Sequence, residues 1–284
     1  MFKTPSIVFL MQCPDQKGLV AAVSGFFYKR GFNILRSQQY TDAARNIYYM
    51  RLELDLRHLA MPRLQLEEEF GALAKILNMK WTVDYSDLRP RAAILATKAP
   101  HCLYDLLLRR KEGELDCDIP LIVSNHAHLE EAANLFGVPF RCLPVGDDRD
   151  AQERRMLKLL KAHHIDLVIL ARYMQILSKR AIDAYPNRII NIHHAFLPAF
   201  QGAYPYRQAY ERGVKMIGAT AHYATEDLDQ GPIIEQDAAR VTHEQSPRDL
   251  EQIGRDIERV VLARAVKAHL ERRVIVSENR VIVF

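Results

Sequence analysis

The feature that most constrains this chain is a repeated alternation through its C-terminal two thirds. Short apolar runs, "AAILATK", "IPLIVSNH", "PFRCLPVG", "DLVILAR", "RIINIHH" and "MIGATAHY", are separated for the most part by amphipathic patterns such as "DAQERRMLKLLKAHH" and "KRAIDAY". Apolar strands that alternate with helices imply a mainly parallel sheet covered on both faces, because such strands keep no face for water. A long helix is expected from Pro247 to about Arg272, with Leu250, Ile253, Ile257, Val260 and Val261 on one stripe. The closing "RVIVSENRVIVF" reads as a terminal hairpin.

The first part of the chain has a different rhythm. "SIVFLMQC" is a short apolar strand, and "PDQKG" after it is a turn. "LVAAVSGFFYKRG" carries apolar residues at helical spacing, with Gly31 at the helix stop. "FNILRSQQYTD" and "IYYMRLELDL" read as two strands around the turn "DAARN". Pro62 opens a second helix, and "KWTVDYSD" closes the unit with a further strand. The order is βαββαβ, the split βαβ arrangement of ferredoxin-like domains. "SDLRPR" is short and polar and contains Pro, so the boundary falls there. The predicted domains are residues 6–87 and 88–284.

Composition excludes several classes. At 284 residues, with 49% hydrophobic and 26% charged, the chain is an ordinary globular protein with enough mass for real cores. A net charge of +4 with scattered Lys and Arg is too mild for a nucleic-acid binder. Cys13, Cys102, Cys117 and Cys142 show no paired short spacing and read as buried thiols in a reducing compartment. No run approaches the roughly 20 apolar residues of a membrane span. The N-terminal apolar run is too short for a secretion signal, so a cytoplasmic location is expected.

In open α/β sheets ligands bind beyond the carboxyl ends of strands. "RIINIHH" delivers polar residues at such an end. In an extended strand Asn191 and His193 share one face and His194 takes the other. A second polar cluster, "AHYATEDLDQGP", also follows a strand and offers Asp227, Asp229 and Gly231 on a turn that could face the histidine. Adjacent histidines on a strand diverge, and no Cys or His group has zinc-like spacing, so no metal is expected. There is no G-x-S-x-G elbow for a serine hydrolase. The first βα turn of the sheet domain, "ATKAPHCLYD", lacks the glycines of a dinucleotide site. The residues alone reach an α/β enzyme with an Asn/His/Asp site. They leave open, for each residue taken singly, a core histidine or a turn former.

The stretch from "NIHHAFLPAFQGAYPY" to "DLDQGPIIEQD" strongly resembles the formyltetrahydrofolate-dependent formyltransferase superfamily. The resemblance rests on Asn191, His193, Leu197, Pro198, Gly202, Asp229, Gly231 and Pro232 in that order. The unit ahead of it resembles an ACT domain, a small-ligand module, through "CPDQKGLVAAVS". This domain order, with the terminal "NRVIVF", is similar to the formyltetrahydrofolate deformylase family over nearly the whole chain. It implies an N-terminal ferredoxin-like ACT domain followed by a mainly parallel Rossmann-like formyltransferase domain. It also implies hydrolysis of 10-formyltetrahydrofolate to tetrahydrofolate and formate, which supplies purine biosynthesis and balances one-carbon pools. Folate is then the substrate and water the acceptor, with no cofactor and no metal.

The same resemblance implies roles for particular residues. Asn191 and a charged His193 would donate to the tetrahedral oxyanion, and Asp229 would hold His193 and orient or deprotonate water. Arg172, Tyr173, Met174, Gln175, Ile176 and Leu177 would form one wall of the folate pocket, with Thr225, Glu226 and Asp227 opposite. Asp15, Gly18 and Asn33 are candidates for an amino-acid effector loop, with glycine or methionine as ligand, and a homo-oligomer is expected. Two departures from the glycinamide ribonucleotide transformylases favour water over an amine. Their Gly- and Ser-rich first loop is here "TKAPHCLYD", with Pro100 removing a donor. Gln175 also replaces an Arg at the folate tail, leaving His101 and Lys98 as substitutes there.

Overall fold

The computed structural model describes residues 4–198 and 205–284, which form two compact units. The first runs to Arg89 and takes in Arg272–Ile275 and Ile282–Phe284; the second comprises Pro90–Glu271 and Val276–Val281.

In the first unit, β1 (Ser6–Pro14), β2 (Ile34–Asp42), β3 (Ile47–Asp55) and β4 (Lys80–Tyr85) form one antiparallel sheet in the order β2-β3-β1-β4. Helices α1 (Leu19–Tyr28) and α2 (Arg63–Ile76) complete the βαββαβ order read from the sequence. α1 stops as expected. Gly31 adopts φ 77°, and the N–H groups of Gly31 and Phe32 return to the carbonyls of Tyr28 and Phe27 at 3.0 and 3.1 Å. Phe9, Phe27 and Phe70, all fully buried, meet with ring centroids 4.8–5.4 Å apart and centre the core. Each such ring contributes about 1.5–3 kcal/mol by leaving water. The tail is tied to this unit by Arg51 Nε, which donates to the Arg272 carbonyl at 2.9 Å, and by Arg272 with Asp84, also at 2.9 Å.

The second unit is built on seven strands: β5 (Arg91–Ala96), β6 (Asp118–Ser124), β7 (Phe140–Cys142), β8 (Leu167–Ala171), β9 (Ile189–His193), β10 (Met216–Tyr223) and β11 (Ile233–Arg240). Their order is β11-β10-β9-β8-β5-β6-β7. From β9 to β7 every pairing is parallel, whereas β10 and β11 run antiparallel. Helices α3 (His101–Lys111), α4 (Glu130–Leu135), α5 (Arg149–Ala162), α6 (Lys179–Ala184), α7 (Pro205–Glu211) and α8 (Pro247–Leu270) connect and cover the strands. The central strands are apolar throughout because both faces are covered: Ala92 to Ala96 are 0% exposed. α8 begins with a capping box, in which Ser246 Oγ accepts from Asp249 N and Asp249 Oδ2 accepts from Ser246 N. β12 (Val274–Ser277) and β13 (Arg280–Val283) form the expected hairpin.

Two expectations need correction. Cys142 is exposed at the end of a short edge strand, so only Cys13, Cys102 and Cys117 are buried. β11 was not anticipated, because "IIEQDAAR" is mostly polar and half-buried and shows no apolar run beyond its first two residues. Among the described residues no helix is long and apolar enough to cross a membrane.

Candidate active site

The site is set by one register. β9 carries Asn191 and His193 on the same face, with Ile190 and Ile192 buried on the other. β10 pairs antiparallel with β9 so that Asn191 opposes His222 and His193 opposes Thr220. Thr220 secures the chain beyond β9. Its Oγ1 accepts from Leu197 N at 3.0 Å and donates to the Ala195 carbonyl at 2.9 Å.

His222, 2% exposed, was not singled out in the sequence, yet it sits among the reactive groups. Its Nδ1 lies 3.0 Å from the Tyr223 carbonyl, which can only accept, so Nδ1 carries a proton. In the neutral ring Nε2 is then an acceptor, and Asn191 Nδ2 donates to it at 3.2 Å. This contact fixes which end of the Asn191 amide faces His222 and holds its plane.

Asp229 arrives on the loop after β10. Its backbone is left-handed (φ 58°), a region in which Asp is among the more tolerant residues. The loop closes with Tyr223 N donating to the Pro232 carbonyl at 3.0 Å. Gly231 makes that closure feasible, because a Cβ there would lie 1.7 Å from the Tyr223 carbonyl oxygen and 3.2 Å from His222 Nδ1. Asp229 Oδ1 consequently stands 3.2 Å from His193 Nδ1 and 3.7 Å from His222 Nε2. Burial opposes its charge, but the hydrogen bond from His193, with the imidazole of His222 nearby, outweighs that and holds the carboxyl well below the usual carboxylate range. An ionised Asp229 can only accept, so His193 Nδ1 carries a proton toward it, and His193 Nε2 is buried without a hydrogen-bond partner among the described residues.

A cleft opens beside this group, lined on one wall by Tyr173, Gln175, Ile176 and Leu177 and on the other by Thr225, Glu226 and Asp227. Asn191, His222 and Asp229 form its floor, and Leu170, Ile182, Ala224 and Leu228 complete the lining. Met174 and Arg172, expected on the first wall, do not line the cleft. Met174 is 57% exposed, and Arg172 adopts φ 60°, which turns its side chain toward Glu258 at 3.5 Å. His101 is engaged as well, with Nε2 2.8 Å from Glu258 Oε2, so it is not free for a folate tail; Lys98 is exposed and lines no part of the cleft. His194 takes the opposite face from His193, as alternation predicts, and its ring lies 6.1 Å from that of Tyr206. Burial, then the Arg172 charge, pushes its pKa down to about 3, so the ring is neutral. Gly202 lies outside the described residues.

In the first unit Asp15, Gly18 and Asn33 are all exposed. Gly18 opens α1 with φ 87°, Asp15 N donates to the Asn46 carbonyl at 3.0 Å, and the Asn33 carbonyl accepts from Asp55 N at 3.0 Å.

Residues 90–266 match the formyl transferase family, and residues 7–60 match the ACT domain. The class is therefore a formyl-transferase fold with an ACT domain ahead of it. A formyltetrahydrofolate deformylase from a Synechocystis species is 50% identical over 276 residues, covering 97% of each chain. The crystal structure of a formyltetrahydrofolate deformylase from Pseudomonas syringae superposes with a TM-score of 0.97 at 41% identity, covering 99% of this chain and 95% of that one. A glycinamide ribonucleotide transformylase from Symbiobacterium toebii is more distant, with a TM-score of 0.67 at 32% identity over 69% of this chain and 94% of its own. The chain belongs to the formyltetrahydrofolate deformylase family.

Proposed function

We propose that this chain hydrolyses 10-formyltetrahydrofolate to tetrahydrofolate and formate, with Asn191, His193 and Asp229 as the reacting groups. The observation that carries the reading is the meeting of His193 Nδ1 with an ionised Asp229 at 3.2 Å, beside a cleft that has Asn191 in its floor. The pterin and its linker lie between the two walls, with the formyl carbon toward His193 Nε2. Water attacks that carbon, and a C–O bond forms as the carbonyl becomes an oxyanion. The free N–H of Asn191 and a protonated His193 Nε2 stabilise the oxyanion; removing one such donor in other enzymes costs on the order of 10²–10³ in rate. Asp229 holds His193 in register and takes up or orients the water's proton. The C–N10 bond then breaks, N10 leaves with a proton, and the remaining formic acid loses its own proton to solvent as formate.

His222 is a positioning residue in this scheme, because it holds the amide of Asn191 rather than the substrate. No cofactor takes part: folate is substrate and water is acceptor. The formate would feed purine biosynthesis in the cytoplasm. Residues 6–87 would act as a regulatory domain in a homo-oligomer, binding glycine or methionine near Asp15, Gly18 and Asn33, with catalysis in residues 88–284. The test is product analysis of the purified protein with 10-formyltetrahydrofolate, with and without glycinamide ribonucleotide. Formate at equal rates in both tubes supports the reading, and formyl transfer to the amine would replace it.

A further inference from the structure

The first wall of the folate cleft has open space on both sides. Tyr173, Gln175, Ile176 and Leu177 line the cleft, and the same four residues line a second hollow behind it. That hollow is backed by Gln152, Glu153 and Met156 of α5. The wall is neither helix nor strand. Its ends are packed, with Tyr173 buried and Leu177 resting on the core, whereas Met174 and Ile176 between them are 57% and 74% exposed. A strip with a hollow behind it gets little support from packing, so its position has to come from polar contacts.

Side chains of the framework supply those contacts. Met174 N donates to Thr97 Oγ1 at 3.0 Å, just beyond β5. On α5, Gln152 Nε2 reaches Tyr173 Oη at 3.4 Å, while Glu153, next in the chain, holds the far end of the wall. Ser178 N donates to Glu153 Oε1 at 2.8 Å, and Ser178 Oγ donates to Glu153 Oε2. The second bond is informative. Ser178 is the N-cap of α6, where a serine hydroxyl ordinarily accepts from the first turn of the helix, yet it makes no such bond. The hydroxyl is spent on Glu153 instead. Glu153 is 7% exposed, and the helix that carries it is itself fixed. Met156 and Leu160 anchor α5 in the core, and Asp148 Oδ1 caps its start by accepting from Ala151 N at 2.8 Å.

We propose that Glu153 is a positioning residue for the substrate: by holding Ser178 through both carboxylate oxygens, it sets how far the Tyr173–Leu177 wall stands from the opposite wall. This rests on the reading of the cleft as the folate site. Glu153 lines the hollow behind the wall and not the cleft, so it acts on folate through the wall. Its length matters more than its charge. A glutamine keeps both bonds, since its oxygen accepts from Ser178 N and its amide N–H donates to a hydroxyl turned round to accept. An aspartate keeps the charge but is one methylene too short to reach Ser178 from the same helix position.

The test compares Glu153→Gln and Glu153→Asp in the full chain. It combines steady-state kinetics with 10-formyltetrahydrofolate, calorimetry of tetrahydrofolate binding and hydrogen exchange of the wall amides. Glu153→Asp should raise KM and the tetrahydrofolate Kd about tenfold, as expected for lost hydrogen bonds to a charged group, and should speed exchange in the wall. Its kcat should stay within about twofold, and Glu153→Gln should stay within about twofold of wild type in every measurement. Ser178→Ala removes the hydroxyl bond and keeps the backbone one, so its KM should fall between those of wild type and Glu153→Asp. It also decides the matter if Glu153→Asp fails to fold, because an unchanged KM in Ser178→Ala overturns the proposal. A merely structural Glu153 would lower the melting temperature without separating KM from kcat, and that result overturns it too. So does a Gln variant as impaired as the Asp variant, which would give the role to the charge. If the wild type binds tetrahydrofolate but hydrolyses no substrate, weaker binding in Asp than in Gln upholds the positioning role and overturns the deformylase reading instead.

Discussion

Asp229 reaches His193 Nδ1 at 3.2 Å from a backbone that is itself left-handed, with φ 58°. The loop is bent so that one carboxylate touches the reacting histidine and also lies near the one that positions the amide. Replacing that carboxylate alone is informative, because Asn tolerates the same backbone conformation at least as well. Asp229→Asn should lower kcat by on the order of 10²–10⁴, the usual range for lost acid–base help, while folate still binds. Steady-state kinetics with a separate folate-binding titration checks this, and unchanged turnover would remove Asp229 from the chemistry.

His222 acts through Asn191, so its loss should fall on kcat more than on KM. His222→Ala frees the amide to rotate and should reduce kcat by about 10–100-fold, below the cost of deleting an oxyanion donor outright. A rise in KM with kcat intact would assign His222 to folate binding instead.

Gly231 is required by its neighbours, since a Cβ would sit 1.7 Å from the Tyr223 carbonyl oxygen. Gly231→Ala must therefore shift the loop and carry Asp229 away from His193. Turnover should fall at least about 100-fold, because misplacement by roughly 1 Å costs that much, with the overall fold retained by circular dichroism. Near-normal activity would mean that the loop adapts without moving the carboxylate.

The neutral His194 makes a signed prediction for pH. Its folded pKa is held down to about 3 from an ordinary 6.5, first by burial and then by Arg172. Between those values the unfolded state binds more protons, so His194 costs stability progressively as pH falls below 6.5. Asp229 is depressed too, and its contribution persists to lower pH, being lost progressively as pH falls below about 3.9. His194→Gln removes the first effect, so the gap in melting temperature between wild type and variant should narrow on acidification from pH 7 to 5. A gap independent of pH would show that His194 is not held neutral.

The cap of α8 offers a control far from the chemistry. Ser246→Ala deletes the capping box and should cost about 1 kcal/mol, or about 2–4 °C in melting temperature for a unit of this size. Activity at 25 °C should be unchanged.

The legible parts of this molecule were those governed by periodicity and local turn chemistry. The apolar β5 and β8, the stop at Gly31 and the outward divergence of His193 and His194 follow from rules that act over a few residues. What was hidden depends on register or on one backbone angle. His222 stands in the sequence as one polar residue in a strand, and it becomes functional only because β10 runs antiparallel with Asn191 opposite it. Arg172 reads as the first residue of the "RYMQIL" wall, but its left-handed backbone sends the side chain to Glu258. Glu258 itself lies one residue beyond the apolar stripe read at Ile257, and its burial makes sense only with Tyr206, His101 and Arg172 in place.

The most direct test of the central claim is a single turnover of 10-formyltetrahydrofolate in ¹⁸O-labelled water, comparing the wild-type protein with Asp229→Asn. The wild type should release one equivalent of formate carrying one ¹⁸O atom and leave one equivalent of tetrahydrofolate, while the variant shows almost none on the same time scale. Unlabelled formate, or labelled formate formed as fast by the variant, would contradict water attack directed by the His193–Asp229 pair.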